Sequence, residues 1–229
     1  MTASEFRVLF EDNHCLAVEK QAGQLIAEDA TGDVTLSDLA KQYLAEKYNK
    51  PGNVYLGVVH RLDRPVSGIV LFTRTSKAAA RLAKQFREKI VRKTYLAWVQ
   101  GSPERDSEML EDWLLRSTNR NVTRVSREGV EGAKLAQLTY SVQERASDWT
   151  LLEIELHTGR HHQIRVQLSS RGWPILGDVK YGGPKCNNPK ALALHAASLS
   201  FEHPTTRERV ELSADLPAAW KNWFDVPVT

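Results

Sequence analysis

Sulfur is scarce in this 229-residue chain, which has two cysteines, Cys15 and Cys186, and two methionines. Two cysteines supply neither a disulfide framework nor the clustered spacing of a zinc site, and they fit a reducing, cytoplasmic setting. No apolar run approaches the roughly 20 residues of a membrane span. The opening MTASEFRVLFED lacks a basic start followed by a long apolar core, so it does not read as a secretory signal. Neither GxGxxG nor a P-loop is present, which argues against the usual nucleotide cofactors. Val66-Ser67-Gly68 does not complete the G-x-S-x-G elbow of a serine nucleophile. His157, His161 and His162 stand close in sequence. However, adjacent histidines point to different sides of a helix and Thr158-Gly159 interrupts the spacing, so no metal is expected. With no internal repeat, low-complexity tract or long linker, residues 1–229 are expected to form one domain.

What is present is an ordinary globular composition, 41% hydrophobic and 26% charged, with the charge unevenly placed. Residues 1–59 carry 5 Lys/Arg against 9 Asp/Glu, a net of −4. Residues 60–100 carry 10 against 2, a net of +8, and residues 101–229 carry 16 against 17. A concentrated basic stretch suits a polyanion such as a nucleic-acid backbone, although a solvated helix face would give the same count.

Short apolar runs at 6–10 and 15–19, separated by Glu11-Asp12-Asn13-His14, predict a hairpin. Leu36, Leu39, Ala40, Tyr43 and Leu44 share one helical face, with Thr35 as its cap. Ser76 is expected to cap a second helix over 77–89, apolar through Ala79, Leu82, Ala83, Phe86 and Ile90 and basic through Lys77, Arg81, Lys84 and Arg87. Residues 91–99 alternate as a strand. The polar stretch 104–132 is expected to be irregular or to form a hairpin excursion. Residues 135–143 and 149–156 read as a strand pair and 160–168 as a helix. A glycine-rich loop over 174–183, strands over 191–201 and 207–212, and a short helix over 217–224 complete the chain. The mixture predicts an α+β fold with a mixed, largely antiparallel central sheet flanked by helices and loops.

The most distinctive stretch is HRLDRPVSGIVLF, residues 60–72, which sets Asp63 between Arg61 and Arg64 in a turn flanked by apolar runs at 55–59 and 69–72. A charged loop anchored by buried strands holds a reactive side chain firmly. This stretch resembles the HRLD-x-x-(T/S)SG signature of the RluA family of RNA pseudouridine synthases. Four further segments resemble that family's motifs in the same order. They are Lys93-Thr94-Tyr95-Leu96-Ala97, then Thr158 to Arg165 (TGRHHQIR), then Pro174 to Asp178 with Tyr181-Gly182, and finally Leu194-His195-Ala196 with 201–204. Two departures are Val66, where the family often has Thr, and Lys20-Gln21-Ala22-Gly23 in place of K-P-A-G. No RNA-binding module is expected ahead of the catalytic domain.

The resemblance implies an isomerase needing no cofactor, with ribosomal or transfer RNA as partner, no membrane association and a monomeric state. It implies Asp63 as the essential carboxylate, acting at C1′ or through a glycal. Arg165 is implied as its cationic partner and Tyr95 as a ring against uracil. Arg61 is the candidate to occupy the space of a flipped-out nucleotide. Arg64, Arg160, Ile164, Lys77, Arg81 and Lys84 are further expected RNA or substrate contacts. Two other readings remain at this point. A non-catalytic RNA-binding protein would explain the basic stretch but not Asp63, Tyr95 and Arg165 together. A glycosidase normally needs two carboxylates.

Overall fold

The computed structural model describes residues 6–29, 32–117 and 119–224. In chain order the elements are β1 (Arg7–Glu11), β2 (Cys15–Lys20), α1 (Leu36–Lys47), β3 (Gly57–Val58), β4 (Ser67–Thr73), α2 (Ser76–Arg87), β5 (Arg92–Gln100) and β6 (Ser107–Ser117). Then come β7 (Val122–Ser126), β8 (Lys134–Arg145), β9 (Trp149–Leu156), α3 (Gln163–Ser169), a 3-10 turn (Val179–Tyr181), β10 (Leu194–Glu202), β11 (Arg209–Ser213) and α4 (Trp220–Trp223). The fold is α+β with a mixed, largely antiparallel sheet: β1–β2, β2–β4, β3–β4, β5–β9, β8–β9, β6–β8, β6–β7 and β10–β11 pair antiparallel, and the bridge of Leu25 with Thr35 is parallel. No described helix is long and apolar enough to cross a membrane.

The chain divides into two compact units, Met1–Val91 with Ser198–Ala214, and Arg92–Ala197 with Asp215–Thr229. In the first unit β2 pairs with β1 on one side and β4 on the other. The β1–β2 turn is closed by the Asp12 carboxylate, whose Oδ1 accepts the backbone N–H groups of His14 and Cys15 at 2.8 and 2.6 Å. All seven residues of β4 are buried, as its unbroken apolar run requires. Cys15, Ala17, Ile69, Leu71, Leu82, Leu199 and Phe201 form the core here. Burying each Leu, Ile or Phe side chain of this kind contributes about 1.5–3 kcal/mol. The register sets Lys20, the last residue of β2, opposite Gly68 near the start of β4. Gly68 takes φ +118°, a conformation open to glycine, and this lets the preceding loop turn into the strand.

The second unit is a meander in which β9 pairs with β5 and β8, and β6 pairs with β8 and β7. Here the sequence reading needs correction. Residues 107–117 and 122–126 are regular strands that pair antiparallel, so the hairpin alternative holds and the irregular one does not. Only Leu110 and Leu114 of β6 are buried, so its outward side chains dilute the alternation. The helix expected from 160 starts only at Gln163, because His162 adopts φ +52°. The Gln163 Oε1 also accepts the Thr158 hydroxyl at 2.7 Å and the Arg160 N–H at 3.0 Å, which holds 158–162 as an open turn. Thr75, not Ser76, caps α2, and its buried line runs through Ala78, Leu82 and Gln85. Thr35 caps α1 as expected, with Asp38 completing a capping box.

Candidate active site

The 60–66 loop is fixed from below by a lysine. Lys20 is fully buried, and its Nζ donates to the carbonyl oxygens of Val66 at 2.6 Å, Arg64 at 2.9 Å, Gln21 at 3.2 Å and Asp63 at 3.3 Å. Four carbonyls converging on one ammonium give the loop a single conformation, with Val66 N–H closing a turn onto the Asp63 carbonyl at 3.0 Å. Burial drives the Lys20 pKa down from 10.5 to about 7, the negative Asp63 opposing that shift and Arg64 adding to it. Arg64 braces the same loop: its Nε donates to the Gly23 carbonyl at 3.0 Å and its Nη2 pairs with Asp33 at 2.6 Å. His60 accepts the Leu71 N–H on Nε2 at 2.9 Å and stacks on Phe86 at 5.0 Å, so it shapes the loop. Leu62 is buried beneath the loop, whereas Asp63 is half-buried and Arg61 exposed. On α2, Lys77, Arg81 and Lys84 are exposed, with Arg81 also donating to the Pro204 carbonyl at 2.7 Å.

In the second unit Tyr95 sits on β5 opposite Ile154 and is 8% exposed. Arg165 and Ile164 are buried on α3. The Arg165 guanidinium is gripped by a bidentate pair with Asp178, Nε to Oδ2 and Nη2 to Oδ1, both 2.7 Å. It lies 5.0 Å over the Tyr181 ring. The Tyr181 hydroxyl accepts the Thr123 N–H at 2.8 Å and meets His162 Nδ1 at 2.7 Å. Arg160 is exposed, its Nε on the Leu135 carbonyl at 2.8 Å. Thus Asp63, Arg61, Arg64 and the α2 cations belong to one unit, and Tyr95, Arg160, Ile164 and Arg165 to the other. A planar guanidinium held by two short hydrogen bonds is a rigid cation. Asp178, Tyr181 and Lys20 received no role from the sequence, although each falls within a segment resembling the family.

The cluster of His, Cys and carboxylate groups close enough to share a metal, among the described residues, is Asp12, Cys15 and His203. Two of the three are already engaged: His203 Nε2 meets Asp12 Oδ2 at 2.8 Å, and His203 Nδ1 accepts the N–H of Thr206 at 3.0 Å. Burial raises the Cys15 thiol to about 12, with the negative Asp12 adding to the effect, so this set ties the hairpin to residues 203–206.

The sequence profile of RNA pseudouridylate synthase matches residues 14–170. Ribosomal large subunit pseudouridine synthase D of Zymomonas mobilis is 34% identical, over 92% of this chain and 69% of that protein. The tRNA pseudouridine synthase C of Haemophilus influenzae is 29% identical, over 93% of this chain and 94% of its own length. Among solved structures, human RNA pseudouridylate synthase domain containing 4 superposes with a TM-score of 0.80 at 21% identity, covering 94% of this chain and 90% of that one. The chain belongs to the RNA pseudouridylate synthase family, the RluA resemblance of its motifs included, and is an RNA pseudouridine synthase.

Proposed function

We propose that residues 1–229 act as one monomeric catalytic domain that converts uridine in ribosomal or transfer RNA to pseudouridine, with Asp63 as the reactive carboxylate. The N1–C1′ bond breaks, the uracil turns, C5 bonds to C1′, and the C5 proton leaves as N1 gains one. No electrons are transferred. The observation that carries this reading is the 60–66 loop, which presents Asp63 on a backbone locked by the buried Lys20 ammonium. Such locking suits a group that must meet a reacting carbon without reorganising. Arg165, preset by Asp178, is assigned as the cation that keeps the carboxylate ionised, and Tyr95 as the ring against the base. A uridine within a helix is out of reach, so the nucleotide is flipped, with Arg61 entering its place. Arg160, Ile164 and the α2 cations are each assigned as RNA or substrate contacts, while Arg64 contributes mainly by holding the loop. The names of the relatives, one a ribosomal and one a transfer RNA enzyme, support both substrate classes.

Tritium release from [5-³H]uridine-labelled transcripts tests the assignment. Asp63→Asn is expected to abolish release while keeping the wild-type melting profile. Turnover by that variant at the wild-type rate overturns the role of Asp63.

A further inference from the structure

Lys93 has no place in the account so far, and its setting is unusual. It lies on β5 two residues before Tyr95 and on the same face, so their Cα atoms are about 7 Å apart along the strand. Its Nζ reaches the turn that leads into α3, 3.7 Å from where a Cβ on Gly159 would stand. That is van der Waals distance, so the ammonium lies directly against the backbone of this turn. Among the described residues Lys93 makes no ion pair and no hydrogen bond through its side chain. The charged and titratable groups on β9 and in the turn after it face elsewhere or are engaged, and His195 on β10, the other neighbour of β5, is buried. Glu155 stands opposite Thr94, on the other face of the sheet; His157 Nε2 is bonded to Thr139 Oγ1 at 2.9 Å; the Arg160 Nε is on the Leu135 carbonyl.

We propose that Lys93 is a phosphate-binding residue, gripping the RNA backbone beside the nucleotide whose base meets Tyr95. A cation withdrawn from water without a counter-ion costs stability, and an anionic ligand offsets that cost on binding. Burial alone brings its pKa from 10.5 to about 8, so the free protein carries a mixture of ammonium and amine in mildly alkaline solution. The inference rests on the proposed function for its choice of RNA phosphate.

The test uses the whole protein with unmodified transcripts of large-subunit ribosomal RNA and of a transfer RNA, in filter binding over a range of salt and pH. Lys93→Gln is expected to lose about tenfold in affinity, as for one charged hydrogen bond. Its slope of log affinity against log salt falls by about 0.7–0.9, one phosphate's worth. Wild-type affinity declines as pH rises through about 8, because the protonated form binds. Lys93→Arg binds well and shows no such decline. Lys93→Met melts no lower than wild type, since it relieves a buried unpaired charge, whereas a lysine with a purely structural role loses stability. An unchanged slope in Lys93→Gln, or a Lys93→Arg that keeps the wild-type alkaline decline, overturns the inference. Should the Gln and Met variants fail to fold, Lys93→Arg decides on pH dependence alone. A Lys93-dependent slope in an enzyme that forms no pseudouridine would instead count against the proposed reaction and leave the phosphate contact standing.

Discussion

Replacing Lys20 by methionine keeps most of the side-chain volume and removes one buried ammonium. Two short hydrogen bonds are lost with it, to Val66 at 2.6 Å and Arg64 at 2.9 Å, along with the weaker ones to Gln21 and Asp63. The consequence is worked most directly from protonation. Burial lowers the Lys20 pKa from 10.5 to about 7 in the folded protein. Below about pH 7 the side chain is charged in both folded and unfolded states, and the penalty of burying the charge is fully present. Between about 7 and 10.5 the unfolded chain keeps its proton while the native one releases it, so stability rises with pH. The gradient approaches about 1.4 kcal/mol per pH unit, and the whole interval corresponds to roughly 5 kcal/mol. Lys20→Met has no group to titrate there and lacks this rise. Urea unfolding of both proteins over that pH range is therefore expected to give stability curves that diverge, wild type gaining on the variant. The ¹³Cε resonance of Lys20 should titrate near 7. Parallel curves for the two proteins would refute the picture of a desolvated ammonium under the loop. Because the same ammonium binds the carbonyls of residues 63, 64 and 66, the variant should also lose turnover at a pH where both proteins are folded.

Other variants probe the remaining parts. Asp178→Ala leaves the Arg165 guanidinium buried without its carboxylate, and should cost about 3–5 kcal/mol in thermal or urea unfolding. A loss under about 1 kcal/mol would mean that water or another group takes over the pair. Changing Lys77, Arg81 and Lys84 together to Gln should weaken RNA binding and lower its salt slope, by about 2 if each removes most of a phosphate contact. An unchanged slope would make the basic side of α2 a solvated face.

Local rules predicted the parts of the chain where one physical signal dominates. Thr35 ahead of the apolar face through Leu36, Leu39, Ala40, Tyr43 and Leu44 announces the start of α1, and the alternation across 91–99 announces β5. The reading failed where a tertiary contact decides. Residues 160–162 have helical spacing, but the Gln163 carboxamide binds Thr158 and Arg160 and holds them in a turn. Residues 107–126 look irregular because β6 buries little besides Leu110 and Leu114, yet pairing to β8 makes it a strand of 11 residues. At the candidate site, the fixed spacing around Asp63 made the loop conspicuous. What holds it was not legible, since the ammonium of Lys20 comes from more than 40 residues earlier in the chain. Arg165 was singled out through resemblance, but its grip by Asp178, 13 residues on, emerges only when α3 and the following turn are placed. Lys93 was legible in part: it alternates on one side of the strand with Val91, Tyr95, Ala97 and Val99, but that its half-buried ammonium has no counter-ion among the described residues emerges only from the fold.

The central claim is that this chain makes pseudouridine and does so through Asp63. The most direct measurement is carbodiimide and primer-extension mapping of pseudouridine in ribosomal and transfer RNA from cells that lack the gene, complemented with wild type or with Asp63→Asn. The account predicts at least one site that disappears with the gene, returns with wild type and stays absent with Asp63→Asn. A full complement of pseudouridines in the cells lacking the gene, or restoration by Asp63→Asn, would contradict it.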